Sequence, residues 1–128
     1  MASRLPPCRG APYRSDRPSL RYRVFHYDDD RDHQVAADGA VERSLEEILA
    51  LMGEVLRSPG SFVGVMAEDG SLMTFVVVEE GIQLDVPQPK RRGSYFKVTD
   101  LAECTRVLQQ AAGQFDHAEV EGLTWERW

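Results

Sequence analysis

The strongest constraint on the fold comes from three short apolar segments, residues 62–67, 72–78 and 82–86, which are separated by two tight turns. Asp69-Gly70 lies in the first turn, and this pair favours the backbone conformation of a two-strand hairpin. Strands joined by such short turns are antiparallel neighbours, so the middle of the chain predicts a three-strand meander. Residues 73–78 carry apolar side chains in both phases of the alternation, so the middle strand is expected at the centre of a sheet, covered on at least one side.

Further strands are predicted on both sides of this meander. Residues 20–27 and 94–98 alternate as strands do, and a last strand is expected within residues 120–125, with a short one near residues 34–36. A sheet of about five to six strands follows.

Two amphipathic helices are also predicted. Ser44 and Glu47 have the spacing of a capping box, and apolar residues recur at helical intervals from Leu45 to Leu56. Asp100 and Glu103 repeat the capping pattern before a second apolar stripe, which ends ahead of Gly113. The expected fold is therefore α+β: an antiparallel sheet with two amphipathic helices packed on one face, in a single domain over residues 20–128.

The charge of the chain is unevenly distributed. Residues 1–19 carry four arginines and one aspartate, and their four prolines and sparse apolar pattern predict a disordered basic tail. The remaining residues carry 11 basic and 20 acidic side chains, a net charge of −9. A body this acidic would repel phosphate backbones and attract a basic protein, so we expect a basic protein partner and no nucleic acid.

Targeting and redox signals are sparse. No apolar stretch reaches the roughly 18–20 residues that span a bilayer, and the N-terminus lacks the apolar segment of a secretory signal, so we expect no membrane association and a cytoplasmic location. The spacing of Cys8 and Cys104 suggests neither a disulfide nor a metal site, which predicts two free thiols.

Catalytic and metal-binding motifs are not recognisable. The segment from His26 to His33 is rich in aspartate and holds oxygen and nitrogen ligands, yet it lacks the glycine and the final glutamate of a calcium loop. Cys104 falls at an apolar helix position, and no histidine lies in a nucleophile motif. The expectation is a non-enzymatic protein without a cofactor or a metal ion.

Candidate partner-binding residues are therefore surface acids and one terminal aromatic residue. Acids in predicted turns and on the outward face of a strand suit a basic partner. Trp128 follows the last strand and is expected at the surface, whereas Trp125 is expected in the core. The predicted contact residues are Asp28, Asp29, Asp30, Glu79, Glu80, Asp85 and Trp128.

The order of elements and several local motifs carry a resemblance to a known family. They are Arg21-Tyr22-Arg23 in the first strand, a helix over 44–56, the Glu68-Asp69-Gly70-Ser71 turn, a late helix over 100–112, and the closing Gly122-Leu123-Thr124-Trp125. Together they resemble small bacterial immunity proteins that neutralise polymorphic toxins. The resemblance implies an inhibitor that binds a cognate toxin and blocks its active site or substrate groove.

Two other classes stay open at this point. Type III secretion chaperones are also small, acidic and α+β, are usually dimers, and bind an extended effector segment. A small ligand-binding or enzyme domain would need a deep pocket lined by convergent polar groups. The sequence does not decide between a monomer and a dimer.

Overall fold

A computed structural model describes residues 21–128, which form eight strands and two helices. The predicted disordered tail over residues 1–19 and the thiol of Cys8 lie outside the described residues. In chain order the elements are β1 (Arg21–Asp28), β2 (His33–Val35), β3 (Val41–Ser44), α1 (Leu45–Val55), β4 (Phe62–Met66), β5 (Leu72–Val78), β6 (Gly81–Gln88), β7 (Gly93–Thr99), α2 (Leu101–Gln110) and β8 (Thr124–Arg127).

All strand pairs are antiparallel and form one sheet in the order β2-β1-β4-β5-β6-β7-β8. The predicted α+β class is confirmed, and β5 lies at the centre as expected. The sheet has more strands than predicted because β3 also pairs with β1, along the half of β1 that β2 leaves free. β2 and β3 are only three and four residues long. The sequence of β3, Val41-Glu42-Arg43-Ser44, lacks a regular alternation of apolar and polar residues, so no sequence pattern predicts this strand.

The start of α1 confirms its predicted capping box. The Ser44 hydroxyl accepts the backbone N–H of Glu47 at 3.2 Å, and the Glu47 carboxylate accepts the backbone N–H of Ser44 at 2.8 Å. Two N–H groups that the first helical turn leaves without partners are thereby satisfied. The helix then presents Ile48, Met52 and Val55 to the sheet.

The start of α2 has only half of the predicted capping box. Asp100 accepts the backbone N–H of Glu103 at 2.8 Å, as expected. The Glu103 carboxylate does not return to Asp100; it accepts hydrogen bonds from Lys97 and Thr99 of β7 and from Arg106. The bonds from Lys97 and Thr99 lower the pKa of Glu103 and tie α2 to the sheet.

The core lies between the sheet and the two helices. Phe75, Leu84 and Val63 are fully buried on adjacent strands and belong to one cluster with Ile48 and Met52 of α1. Leu45, Leu49 and Leu101 of the helices and Val77 of β5 are only partly buried, at the margin of this core. The predicted layering of two helices on one face of the sheet is confirmed.

Candidate functional site

The two faces of the sheet differ in what covers them. Residues paired across antiparallel strands point to the same side, and neighbours along a strand point to opposite sides. The pairs Val24–Val65 and Phe75–Leu84 therefore place the core on one side, which is the side of both helices. We call the other side the open face.

The open face carries an extended set of apolar side chains. All of them are partly exposed or exposed, and none belongs to the hydrophobic core. Large apolar surfaces of this kind mark interaction sites in soluble proteins. The apolar residues of the open face are Phe25, Tyr27, Phe62, Met66, Leu72, Val76, Val78, Phe96 and Val98.

Three aromatic rings form one end of this surface. Phe62 lies edge-on to Phe25 with 6.3 Å between ring centroids, and its centroid is 6.2 Å from that of Tyr27. The Phe25 ring lies directly over Gly64, where a β-carbon would be 2.1 Å from its Cζ atom. Glycine at position 64 is therefore what leaves room for the ring at this position of the sheet.

Asp85 lies near the centre of the open face. It pairs with Thr74 of β5 on one side and with Phe96 of β7 on the other. The same row of paired residues extends from Thr74 to Gly64 of β4 and then to Phe25 of β1. One carboxylate oxygen, Oδ2, accepts a hydrogen bond from Gln83 Nε2 at 3.1 Å. The other, Oδ1, is shielded from solvent and has no hydrogen-bond partner among the described residues. Asp85 was predicted as an exposed acid, and the structure corrects this: it is half-buried, between Thr74 and Phe96 on the open face.

Four of the predicted acids lie at one end of the sheet. Asp29 and Asp30 follow β1, and Glu79 and Glu80 follow β5, with β4 pairing both strands between them. The two turns are thus two strand spacings apart, about 10 Å. All four residues are exposed, and the Asp30 carboxylate accepts a hydrogen bond from the Ser58 hydroxyl. The structure brings these predicted contacts together beside the open face.

Asp28 is not part of that exposed group, contrary to the prediction. It is the last residue of β1, its side chain is 3% exposed, and it points to the core side. Oδ1 accepts the backbone N–H groups of Asp30 and Arg31 at 3.1 and 3.3 Å, and Oδ2 pairs with the Arg31 guanidinium at 3.4 Å. The carboxylate shapes the β1–β2 turn, which is the local role that aspartate commonly takes in turns.

Trp128 is exposed, as predicted, but it is remote from the acidic turns. Its side chain is 65% exposed, and its backbone N–H donates to the Arg92 carbonyl at 2.8 Å, at the opposite end of the sheet. Trp125 is half-buried instead of lying in the core: the Arg91 guanidinium is 4.5 Å from its ring centroid, and the Tyr95 ring is 4.9 Å away. The predicted acids and Trp128 therefore do not form one patch.

The outward apolar residues were not singled out from the sequence, although a signal was present. Val76 and Val78 stand at positions where a half-exposed strand would carry polar side chains. Phe25 shares the phase of Arg21 and Arg23, which the alternation places on the outer side. Apolar residues in the polar phase of several adjacent strands indicate a second apolar face, once the strands are known to be neighbours.

A histidine pair in which one ring is buried is a second feature that the sequence did not reveal. His26 lies on the core side of β1 and is 4% exposed, and its Nε2 is 3.3 Å from Nδ1 of His33 on β2. Burial, followed by the charges of His33 and Arg43, lowers the pKa of His26, and Asp28 opposes this shift. The folded protein therefore binds a proton at His26 less readily than the unfolded chain does.

The free energy of unfolding is expected to fall as the pH drops below about 6.5, because His26 then binds a proton more readily in the unfolded chain than in the folded one. Above that pH both states are neutral at this position and the full stability is present. Urea titrations at pH 7.5, 6.5 and 5.5 measure the effect. His26→Gln should make the free energy of unfolding less dependent on pH over this range. His117→Gln, which changes a more exposed ring, should leave that dependence unchanged.

Groups suited to catalysis or metal binding are limited within residues 21–128. Burial raises the pKa of Cys104 to about 12, which leaves its thiol protonated and unreactive near neutral pH. In that part of the chain no three histidine, cysteine or acidic side chains are placed to hold a metal ion together. None of the described helices is long and apolar enough to span a membrane.

Comparison with protein-family models, with curated proteins and with solved structures found no match for this chain.

Proposed function

We propose that this chain is a non-enzymatic protein-binding module that holds a basic protein partner against the open face, as an immunity protein holds its toxin. The observation that carries the proposal is the apolar surface of the open face, which lies outside the core and opposite both helices. Burying such a surface against a partner supplies most of the favourable free energy of association.

Charge supports a basic partner. Residues 20–128 carry a net charge of −9, and the turns with Asp29, Asp30, Glu79 and Glu80 border the open face. Like-sign side chains at the rim of a docking surface accelerate the approach of an oppositely charged protein. A toxin domain that acts on nucleic acid presents a basic groove, and an acidic module seated on that groove would exclude the substrate.

A non-enzymatic role is supported by the state of the reactive side chains. Cys104 is buried in α2 with a raised pKa, and His26 is buried against His33. Neither side chain lies on the open face, because both belong to the core side of the sheet or to a helix that covers it. The surface we propose for binding thus presents apolar side chains and carboxylates, with Arg21 and Arg23 at one end of β1.

The test places a charge in the middle of the open face. Val76→Lys should weaken binding about thirtyfold or more, the loss expected for a central interface residue. Ala102→Lys adds the same charge to an exposed position on α2 and should bind as the wild type does. The proposal predicts that a neighbouring gene encodes a toxin domain, and that domain is the ligand. Binding kinetics are measured by surface plasmon resonance at two salt concentrations, and association should slow at the higher one.

Several outcomes would contradict the proposal. If the module neither binds that domain nor protects cells that express it, the immunity role fails. If Val76→Lys and the more exposed Val98→Lys both bind normally while remaining folded, the open face is not the interface. Sedimentation that shows a dimer dissociated by Val76→Lys would make the open face a contact between two copies, as in the chaperone class.

A further inference from the structure

We infer that the open face receives an arginine side chain of the partner at Asp85. This inference rests on the proposed function and makes it more specific, because it names the group that the centre of the face recognises. It follows from the position of Asp85, the state of its two oxygens and the side chains beside it.

The position of Asp85 distinguishes it from the other acids. The acids at the sheet end are solvent-exposed turn residues, whereas Asp85 lies inside β6 with Phe96 and Thr74 as its cross-strand neighbours. A carboxylate oxygen that is buried without a donor lowers the stability of the isolated domain. Along β6, Gln83 and Pro87 share the face of Asp85, whereas Leu84 and Val86 point to the core.

The hydrogen bonding of Asp85 is incomplete within the described residues. Gln83 Nε2 donates to Oδ2 at 3.1 Å, while Oδ1 is shielded and receives nothing. No ion pair among residues 21–128 involves this carboxylate. Buried carboxylate oxygens without a donor are rare in folded proteins, so the missing donor points to a ligand group. Asp85 is partly exposed and its terminal side-chain torsion is soft, so the carboxylate can turn Oδ1 toward a group docked on the open face.

The surroundings of Asp85 suit a guanidinium group better than an ammonium group. A guanidinium is planar, donates through several N–H groups in fixed directions, and is weakly hydrated, so it tolerates an apolar interface. Its plane can lie against the Phe96 ring while its N–H groups donate to Asp85. Thr74, on the opposite neighbouring strand, offers a hydroxyl oxygen as a further acceptor.

The test uses two short peptides that differ in one charge, Ac-Leu-Arg-Leu-NH2 and its citrulline twin, titrated into the 15N-labelled full chain. Citrulline keeps the shape of arginine but is neutral. We expect the arginine peptide to bind roughly tenfold more tightly, the ratio that one charge-assisted hydrogen bond supplies. The amide signals of Thr74, Asp85 and Phe96 should shift most. A lysine peptide should fall between the two.

Two carboxylate variants make the comparison specific. Asp85→Asn keeps the shape of the side chain and should reduce the ratio between the two peptides to about one, without lowering the melting temperature. Glu126→Gln removes a carboxylate from the exposed edge of the same face and should leave the ratio unchanged. Equal binding of both peptides to the wild type, or an unchanged ratio in Asp85→Asn, would overturn the inference.

The same experiment separates this inference from the proposed function. If Val76→Lys abolishes binding of the protein partner while Asp85→Asn leaves it unaffected, the open face binds proteins without an arginine at Asp85. Binding of the chain's own residues 1–20 to the open face is tested with a nitroxide on Cys8, since Cys104 is buried and resists labelling. Broadening of the Phe96 and Val76 signals in that sample would assign the surface to residues 1–20 and would also overturn the inference.

Discussion

Phe75→Ala is expected to lower the free energy of unfolding by about 3–5 kcal/mol, the range for removing a large side chain from a well-packed core. Phe75 is fully buried on the central strand, between Val63 and Leu84. Its loss leaves a cavity under both helices that backbone movement can close only in part. Urea denaturation followed by circular dichroism measures the change.

A control for this substitution is available on the open side of the same sheet. Val98 is 43% exposed, so Val98→Ala should cost less than about 1 kcal/mol. Similar losses for the two variants would mean that the core does not lie on the helix side of the sheet.

Asp28→Ala is expected to lower the free energy of unfolding by about 2–3 kcal/mol, because it leaves the backbone N–H groups of Asp30 and Arg31 without their acceptor. Asp29→Ala changes an exposed neighbour and should stay within about 0.5 kcal/mol of the wild type. Thermal and urea unfolding of the two variants decide the matter. Normal stability of Asp28→Ala together with weaker partner binding would restore the contact role that the sequence suggested.

The fold was largely predictable because its signals are local. The Asp69-Gly70 turn and the Ser44–Glu47 capping box each depend on a few neighbouring residues, and the structure has both in place. The β3 strand was missed because its pairing with β1 is its only strand signal. Long-range pairing of a short polar segment leaves no pattern in that segment.

The candidate site was less predictable because it depends on which strands are neighbours. Along its own strand Asp85 looks like an ordinary outward acid, and only the pairing with Thr74 and Phe96 shows that it lies near the centre of the open face. Asp28 was misassigned for a related reason. Three consecutive aspartates look alike in the sequence, but the alternation of β1 turns the first of them to the buried side.

The short outer strands bear on how this protein avoids uncontrolled self-assembly. β2 and β3 are the edge strands on one side of the sheet, each pairing with a different part of β1. β8, with only four residues, is the edge strand on the other side. Charged side chains stand on these margins, including Glu42 and Arg43 on one and Glu126 and Arg127 on the other. Short, charged margins are poor templates for the addition of further strands, which limits fibre-like aggregation. The protein can therefore display an apolar sheet surface to a partner while its edge strands disfavour hydrogen bonding with strands of other chains.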